Sequence, residues 1–508
     1  MTAQRKRRRS AQQKPRATRT VPYKGLRHPY TPQTIWSEDE VAHVHETALR
    51  ILEELGIRVL LPEARELYLK AGAIERDDMM IHIGRDIIAE ALQTAPRSFL
   101  LRAPNPANNI TYEPGAMLFK AGSGCPNATD HAQGRRPGNL QDFRDSLTLQ
   151  QHFDVIHSLG PSVEPQDVPI NLRHYAMVKS QMEISDKLAF LYSRGRGQVH
   201  QGFEMIQLAN NLTQDEFESA CWCTTVINSN SPRQLDKPMA QGIIDFARAG
   251  QLAIITPFCL SGAMAPVTVA GALVLQHAEA LAGIALAQIA RPGAPVSYGG
   301  FASNVDMKSG APAFGTPEHV QMQIGSGQLA RHIDLPWRSA SGSASNVADM
   351  QAAGETHMAL WGALMSNATL TVHAAGWLEG GLTFGYEKFI NDVEALQTIA
   401  ELCQKPSAAD PELAWDAIAD VQPGGHFFAT QHTMDRYETA FYQPLIADLS
   451  NHGQWTEAGS KTSTERATPL FQSILRDFQP PADAGERAER IADYISKNSA
   501  KGGAAPLD

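Results

Sequence analysis

The chain has 508 residues, of which 43% are hydrophobic and 19% charged, so its composition is that of a globular protein and excludes bulk disorder. This length allows one large domain with additions or about three ordinary domains of ~100–200 residues. Five cysteines are too few for a disulfide scaffold, and the absence of a C-x-x-C pair gives little support to a zinc or iron–sulfur site.

The start of the chain differs from the rest in charge. Residues 1–19 carry eight basic side chains and no acidic one, so the remaining chain carries −18 against a formal net charge of −10. We predict that residues 1–30 form a disordered, solvated basic tail. The acidic remainder predicts no binding to nucleic acid, because phosphate contacts need clustered Lys and Arg.

No segment of about 18 purely apolar residues occurs, so we expect no membrane span. The most apolar stretch, 267–290, is interrupted by Gln276, His277, Glu279 and Gln288. The N-terminus also lacks the apolar core of a secretory signal. These features favour a cytoplasmic protein.

Residues 31–115 are predicted to form a mainly helical region with short strands. Ser37 and Glu40 make a capping box that opens an amphipathic helix, and Gly56 ends it. A second helix begins at Pro62 and ends at Gly72, and residues 85–95 make a third.

From Met117 onward, short β-rich runs alternate with longer helical segments. Successive runs begin roughly 27 to 44 residues apart, the length that one strand, one helix and two loops require. The eight runs are residues 117–121, 161–164, 188–192, 221–227, 252–258, 295–298, 335–339 and 369–374.

Eight strand–helix units in succession predict an α/β fold, a (β/α)8 TIM barrel over residues 116–405 with helical N-terminal and C-terminal extensions. A doubly wound sheet is less favoured, because its first strand would be followed by G-x-G-x-x-G, whereas residues 121–126 read A-G-S-G-C-P. Residues 406–496 are predicted to form a C-terminal helical region, and residues 497–508 a flexible tail.

The polar and aromatic residues that follow each run are candidate site residues, because reactive groups of barrels lie at the carboxyl ends of the strands. They combine carboxylates with rings, and a ring face attracts a quaternary ammonium within ~6 Å while carboxylates offset its charge. The carboxylates are Asp306, Glu355 and Glu379, the rings are those of Tyr298, Phe314, Trp377 and Phe384, and His373 follows the last run. Loop capping or ordinary packing is an alternative of equal weight for each carboxylate and ring.

Other kinds of site find little support in the sequence. None of the 17 histidines forms an H-x-x-x-H pair near a glutamate, so no metal site is predicted. Neither the G-x-S-x-G elbow of serine hydrolases nor a G-x-x-x-x-G-K-[ST] phosphate loop occurs. A metal-dependent barrel hydrolase would need clustered His and Asp at strand ends, and only His373 fits that expectation.

Four motifs resemble those of the trimethylamine methyltransferase family, the MttB-like proteins, and the resemblance runs from about Tyr30 to Ser460. They are G-R-R-P at 134–137, K-S-G-A-P-A-F-G-T-P-E at 308–318, D-M-Q-A at 349–352 and P-G-G-H-F at 423–427. The resemblance implies a (β/α)8 barrel, a methylamine substrate and a separate corrinoid protein as methyl acceptor. The corrinoid is expected on that partner, and no D-x-H-x-x-G corrinoid motif occurs in this chain.

The sequence departs from the family's archetypal members at one position. Those members carry pyrrolysine in the barrel cavity, near the loop after the seventh strand, where this chain has only standard residues at 339–346. Members without pyrrolysine include enzymes that demethylate quaternary amines such as glycine betaine. A quaternary ammonium already carries a full charge and departs as a neutral tertiary amine, so it needs no covalent activation.

The resemblance and the residues together suggest a role for each candidate. Asp306 and Glu355 would counter the ammonium, and His373 would bind a substrate carboxylate if one is present. His426 would close the barrel mouth or meet the corrinoid partner. The substrate-binding set is Tyr298, Phe314, Trp377, Glu379, Phe384 and His426.

Two other functions remain open at this stage. One is demethylation of trimethylamine or another tertiary amine, and the other is cation binding by a barrel without catalysis. Oligomeric state is also open, although barrels of this size often pair.

Overall fold

The computed structural model describes residues 23–507, so most of the predicted basic tail lies outside the described residues. The chain divides into two compact units. The larger contains Tyr23–Cys403 and the segment that begins at Ile446, and the smaller contains Gln404–Leu445. The predicted site residues lie in the larger unit, with the exception of His426.

The larger unit is built on a sheet of seven parallel strands, which we label β1–β7 in chain order. They are β1 (Leu118–Phe119), β2 (Ala189–Phe190), β3 (Cys223–Ile227), β4 (Leu252–Ile255), β5 (Val296–Gly299), β6 (Trp337–Ala340) and β7 (Leu370–Val372). Their order across the sheet is β1-β7-β6-β5-β4-β3-β2. Seven of the eight predicted runs overlap these strands, which confirms an α/β barrel-like fold.

The predicted second run, 161–164, does not form a strand. Ser158 instead makes parallel bridges to Lys120 beside β1 and to Leu188 beside β2, the two edges of the sheet. The backbone of Gly160 is engaged by the side chain of Gln150, which accepts from its N–H at 2.7 Å and donates to its carbonyl at 3.0 Å. Within the run, Val163 makes an isolated parallel bridge to Cys125, and Pro161 has no N–H to donate to a ladder.

Helices cover the outside of the sheet. They are Leu140–His152, Arg173–Ile184, Arg196–Asn210, Gln214–Glu218, Lys237–Arg248, Val269–Ala290, Pro317–His332, Met350–Met365 and Tyr386–Leu402. Among the described residues, Val269–Ala290 is the one helix long and apolar enough to cross a membrane, yet 78% of its most apolar window is buried inside the protein. It is therefore a core helix, in contact with the N-terminal helices.

The N-terminal region combines helices with short strands. Its helices are Glu38–Arg50, the π-helix Ile51–Leu55, Pro62–Lys70, Arg85–Thr94 and the 3-10 helix Pro106–Asn108. Strands Ile57–Val59, Ile74–Arg76 and Met80–His82 form a sheet with Gln234–Leu235, and Phe99–Leu101 pairs with Ile110–Tyr112. The capping box at Ser37 and Glu40 is present.

The hairpin of Phe99–Leu101 and Ile110–Tyr112 packs against the amino-terminal ends of the barrel strands. Leu101, Ile110 and Tyr112 share one apolar cluster with Leu118 and Leu252 of β1 and β4. Burial of these side chains closes the lower end of the barrel.

Helices also form the C-terminal region. In the larger unit they are His452–Glu457, Ser463–Asp477 and Ala484–Ala500, and in the smaller unit Asp410–Leu413, Trp415–Asp420 and Gln431–Arg436. Residues 497–507 differ from the flexible tail that we predict. Helix Ala484–Ala500 takes in their first residues, and beyond it the N–H groups of Ala504 and Leu507 donate to the carbonyls of Asn171 and Arg194.

Candidate active site at the carboxyl end of the barrel

Two small sheets tie together the loops that follow the barrel strands. Loops after β1 and β7 supply Asn127–Asp130, Gly134–Pro137, Trp377–Leu378 and Thr383–Gly385 to one sheet. Loops after β4 and β5 supply Leu260–Ser261, Ser303–Val305 and Pro312–Ala313 to the other. Backbone pairing between loops holds their side chains in place, which precise positioning of a substrate requires.

Four buried rings meet in the space between these sheets. His373 stacks on Trp377 with centroids 4.3 Å apart, and Phe314 meets the same indole edge to face at 5.1 Å. Phe301 completes the group at 5.2 Å from His373 and 5.6 Å from Phe314. The structure thus brings together three predicted residues, Phe314, His373 and Trp377, and we call these four rings the aromatic cluster.

Glycines fix the position of the indole. A Cβ at Gly342 or Gly381 would overlap the Trp377 ring, and a Cβ at Gly122 would approach it to 3.0 Å. Gly342 and Gly381 also have φ of +105°, a conformation that favours glycine. The indole therefore fits closely against these glycines, and larger residues at the same positions would clash with it.

Two buried cations lie in the barrel interior, and the sequence analysis did not select either of them. Arg338 of β6 is 1% exposed, donates to Nε2 of His373 at 3.1 Å and holds its guanidinium 4.6 Å from the Phe301 centroid. Lys120, at the end of β1, is also 1% exposed, with Nζ 4.2 Å from the Phe190 centroid and 3.5 Å from Oγ1 of Thr224. Within residues 23–507, no ion pair joins either cation to a carboxylate.

Burial governs the protonation of these groups. Burial, and then the charge of Arg338, lower the pKa of Lys120 to about 7. Burial lowers the pKa of Arg338 to about 9. The pKa of His373 lies well below its usual value, because the ring is buried and faces both Arg338 and Lys120.

The neutral tautomer of His373 follows from its partner. Arginine offers only N–H donors, so Nε2 of His373 accepts and Nδ1 carries the proton. That Nδ1 has no hydrogen-bond partner among the described residues. The residue also has a φ of +59°, a left-handed conformation that is uncommon outside glycine and frequent at functional sites.

Protein groups hydrogen-bond to all three predicted carboxylates, and their expected role beside the ammonium stays a prediction. Asp306 is exposed at a hairpin tip and accepts from Ser309, whose hydrogen bonds lower its pKa. Glu355 accepts from Oγ of Ser343 at 2.6 Å and from the N–H of Ala344 at 2.8 Å, which orders the serine-rich loop. These are the contacts of loop caps, the alternative that the sequence left open.

Glu379 follows Trp377 in the loop after β7 but pairs with an arginine. Its carboxylate accepts from Nε of Arg135 at 3.0 and 3.1 Å. Arg136, the next residue of the G-R-R-P motif, pairs with Asp130 and Asp142 at 2.7 Å. The motif therefore braces the loops, and Glu379 is not a free counter-charge.

Two predicted rings and one predicted histidine lie away from the aromatic cluster. Tyr298 points outward from β5, and its hydroxyl lies 3.1 Å from Nδ1 of His277 in helix Val269–Ala290. Phe384 packs near Tyr386 and Phe389, at 5.3 and 5.9 Å. Successive residues of a strand face opposite sides, so a residue directly after a strand core is as often outside the barrel as inside it.

His426 belongs to the smaller unit. It is exposed there, and its ring centroid lies 5.5 Å from that of Phe428. Its suggested role at the barrel mouth stays a prediction.

Phe301, Lys120 and Arg338 are the residues that the sequence analysis missed. Lys120 and Arg338 interrupt otherwise apolar runs, 117–121 and 335–339, and a charge inside a buried strand is an unusual feature that points to function. Phe301 follows Gly300 directly after β5, within the stretch already selected. Among residues 23–507 no group of three or more His, Cys, Asp or Glu side chains is arranged to hold a metal ion.

Comparison with known proteins identifies the family of this chain. Residues 2–503 match the family described as trimethylamine methyltransferase (MTTB). The chain is 32% identical to the glycine betaine methyltransferase of Desulfitobacterium hafniense strain Y51, over 91% of this chain and 96% of that protein. It is 27% identical to the trimethylamine methyltransferase MttB of D. hafniense strain DCB-2, over 88% of this chain and 90% of that protein.

A solved structure is also similar. The monomethylamine methyltransferase MtmB of Methanosarcina barkeri aligns over 91% of this chain and 88% of that chain, with a TM-score of 0.47 and 8% sequence identity.

Proposed function

Since this chain belongs to the trimethylamine methyltransferase family and is a methyltransferase, we propose that it moves a methyl group from a quaternary amine such as glycine betaine to the Co(I) of a corrinoid protein. The observation that carries this proposal is the aromatic cluster at the carboxyl end of the barrel. Ring faces attract a permanent cation by ~0.5–2 kcal/mol each. The loop after β5 supplies Phe301 and Phe314, the loop after β7 supplies Trp377, and the end of β7 supplies His373.

The reaction requires the protein to position the substrate and to exclude water. When the C–N bond breaks, its electron pair stays on nitrogen, so the leaving group is a neutral tertiary amine and needs no proton. Phe301, Phe314 and Trp377 hold the ammonium and exclude water, and the methyl that faces the open end of the barrel is the one transferred. The cobalt belongs to the partner protein, which must therefore approach this end.

Several further features belong to this proposal. The segment around Ser158 supplies the eighth position of a complete (β/α)8 barrel, with helical regions before and after it. The protein works in the cytoplasm, where reduced corrinoid is available. The carboxylates Asp306, Glu355 and Glu379 brace loops in this account, and Tyr298 and Phe384 support the barrel from outside the substrate space.

The test is methyl transfer with the full-length protein and reduced cobalamin as acceptor. Glycine betaine, choline, tetramethylammonium and trimethylamine are supplied separately, and formation of methylcobalamin is followed by its absorbance. We expect transfer from at least one quaternary amine and none from trimethylamine. Transfer from trimethylamine alone would replace the proposal with the tertiary-amine alternative, and no transfer from any amine would favour a non-catalytic barrel.

A matched pair of variants tests the aromatic cluster. Trp377→Leu removes a ring that contacts Phe301, Phe314 and His373, and we expect kcat/KM for the quaternary amine to fall about 10-fold. Trp361→Leu changes a half-exposed tryptophan on the outer helix Met350–Met365 and should leave kcat/KM unchanged. Equal losses in both variants would contradict the proposed role of the rings.

A further inference from the structure

We propose that Arg338, Lys120 and His373 form a binding site for a carboxylate, so that the substrate is a zwitterion that carries a carboxylate close to its quaternary nitrogen. This inference rests on the proposed function and deepens it, because it assigns a second half of the substrate to named residues. We call these three side chains the cationic floor.

Buried N–H donors at this end of the barrel lack acceptors within the described chain. Nε of Arg338, Nδ1 of His373 and Nε1 of Trp377 are all buried and have no hydrogen-bond partner among the described residues. Buried polar groups almost always find a partner, since leaving one unsatisfied is costly. All three are N–H donors in the tautomer derived above, so the missing partner is an acceptor.

The two cations of the cationic floor also lack a counter-charge in the part of the chain that the structure describes. Arg338 and Lys120 are two cations inside one barrel, and burial of unpaired charge is costly. The carboxylates of the surrounding loops do not neutralise them, because each is held by another group. Glu164 pairs with Arg173 and Arg194, Asp392 with Lys388, Glu379 with Arg135, and Glu355 is bound by Ser343 and Ala344. The counter-charge therefore comes from outside the protein.

The three side chains of the cationic floor also come from neighbouring strands. Arg338 lies on β6, His373 at the end of β7 and Lys120 at the end of β1, and these three strands are neighbours in the sheet. The bond from Arg338 to His373 links the first two directly. A carboxylate has two oxygens with about four lone-pair sites, enough to accept from all three side chains.

The cationic floor also adjoins the aromatic cluster. The Phe301 ring contacts the Arg338 guanidinium on one side and stacks with Phe314 and His373 in the cluster. His373 belongs to both groups, since its ring stacks on Trp377 while its Nε2 accepts from Arg338. A ligand that contacts both has its negative and positive groups a few bonds apart. With the carboxylate bound at the floor, the methyl groups face the open end.

The substrate series tests the inference without any mutation. Binding of glycine betaine, choline and tetramethylammonium to the full-length protein is measured by calorimetry, together with methyl transfer from each. We expect glycine betaine to bind at least about 30-fold more tightly than choline, which has a hydroxyl in place of the carboxylate. Methyl transfer from choline or tetramethylammonium as efficient as from glycine betaine would overturn the cationic floor and leave the proposed function intact. Absence of transfer from all three would overturn the proposed function itself.

Variants locate the site. Arg338→Met keeps an unbranched side chain and removes its charge, and should weaken glycine betaine binding about 30-fold or more while changing tetramethylammonium affinity less than about threefold. Lys120→Met should weaken it about tenfold with the same selectivity. Arg331→Met, on the outer helix Pro317–His332, removes an arginine that donates to the Ser366 carbonyl and is the matched control.

Circular dichroism establishes that each variant is folded before its affinities are compared. An equal loss for glycine betaine and tetramethylammonium in folded Arg338→Met and Lys120→Met would contradict the carboxylate site. If neither variant folds, the comparison of glycine betaine with choline on the unmodified protein decides the question.

Discussion

The two ends of the barrel are equally buried and yet differ in how their polar groups are satisfied. At the lower end, the hairpin of Phe99–Leu101 and Ile110–Tyr112 meets apolar strand residues, and the hydroxyl of Tyr112 lies 2.8 Å from that of Ser297. At the upper end, Arg338, His373 and Trp377 each keep a buried N–H without a partner in the described chain. Burial alone therefore does not distinguish these two groups of side chains, whereas their hydrogen-bond partners do.

The difference has a physical reason. A core is selected for the stability of the protein alone, so its groups pair with one another. A binding site is completed by its ligand, so it keeps polar groups that are costly without that ligand. Mutations at the lower end should therefore reduce stability, whereas mutations at the upper end should reduce ligand binding.

The largest expected effect is on stability, at the lower end. Leu252→Ala deletes a fully buried side chain of the apolar cluster and should lower the free energy of unfolding by ~2–5 kcal/mol. Arg338→Met, at the upper end, removes an unpaired buried charge and should not lower it. Urea unfolding followed by circular dichroism measures both, and a larger loss for Arg338→Met would contradict the comparison.

The next effect is a pH dependence of ligand binding. Lys120 faces Arg338 from β6, neutral His373 from the end of β7, and the uncharged Phe190 and Thr224, and its pKa is lowered to about 7. A bound carboxylate favours the protonated amine, so binding takes up a proton where free Lys120 is neutral. The affinity for glycine betaine should therefore be level below about pH 6 and weaken above pH 7, by at most about tenfold per pH unit for one proton.

Calorimetry in buffers of different ionisation enthalpy measures this proton uptake. Tetramethylammonium, which has no carboxylate, should show no such dependence, and neither should glycine betaine with Lys120→Met. An affinity for glycine betaine that increases between pH 7 and pH 8.5 would contradict the assignment of Lys120.

The smallest effect concerns a carboxylate that the sequence pointed to. Glu355→Gln keeps the shape of the side chain and removes its charge, which the structure assigns to the N–H and hydroxyl donors of residues 343–345. We expect tetramethylammonium affinity to change less than about threefold, and stability to fall by ~1 kcal/mol. A loss of affinity above about tenfold, measured by calorimetry, would restore Glu355 as a counter-charge.

Much of the fold could be predicted because strand–helix alternation has a regular length. Seven of the eight runs overlap barrel strands, and the capping box at Ser37 begins its helix as expected. The predicted run 161–164 is not a strand, and the contact between the Gln150 side chain and the Gly160 backbone beside it is one that no local pattern encodes. The ordered C-terminal segment likewise depends on distant carbonyls, those of Asn171 and Arg194.

The candidate site was predicted in part, and the division follows from the geometry of strands. Phe314, His373 and Trp377 lie in loops or at a strand end that the barrel brings together. Tyr298 is the counterexample, because its position within a four-residue strand turns it outward toward His277. Whether a loop carboxylate caps its own loop or meets a ligand depends on donors elsewhere in the chain, as Glu379 and Arg135 illustrate.

The most direct test of the central claim is a crystal structure of the full-length protein with glycine betaine bound. The account predicts the carboxylate within hydrogen-bond distance, about 3 Å, of Arg338 and His373, and the quaternary nitrogen within ~6 Å of the Phe301, Phe314 or Trp377 ring centres. A nitrogen next to Arg338 and Lys120, or a ligand held outside the aromatic cluster, would contradict it.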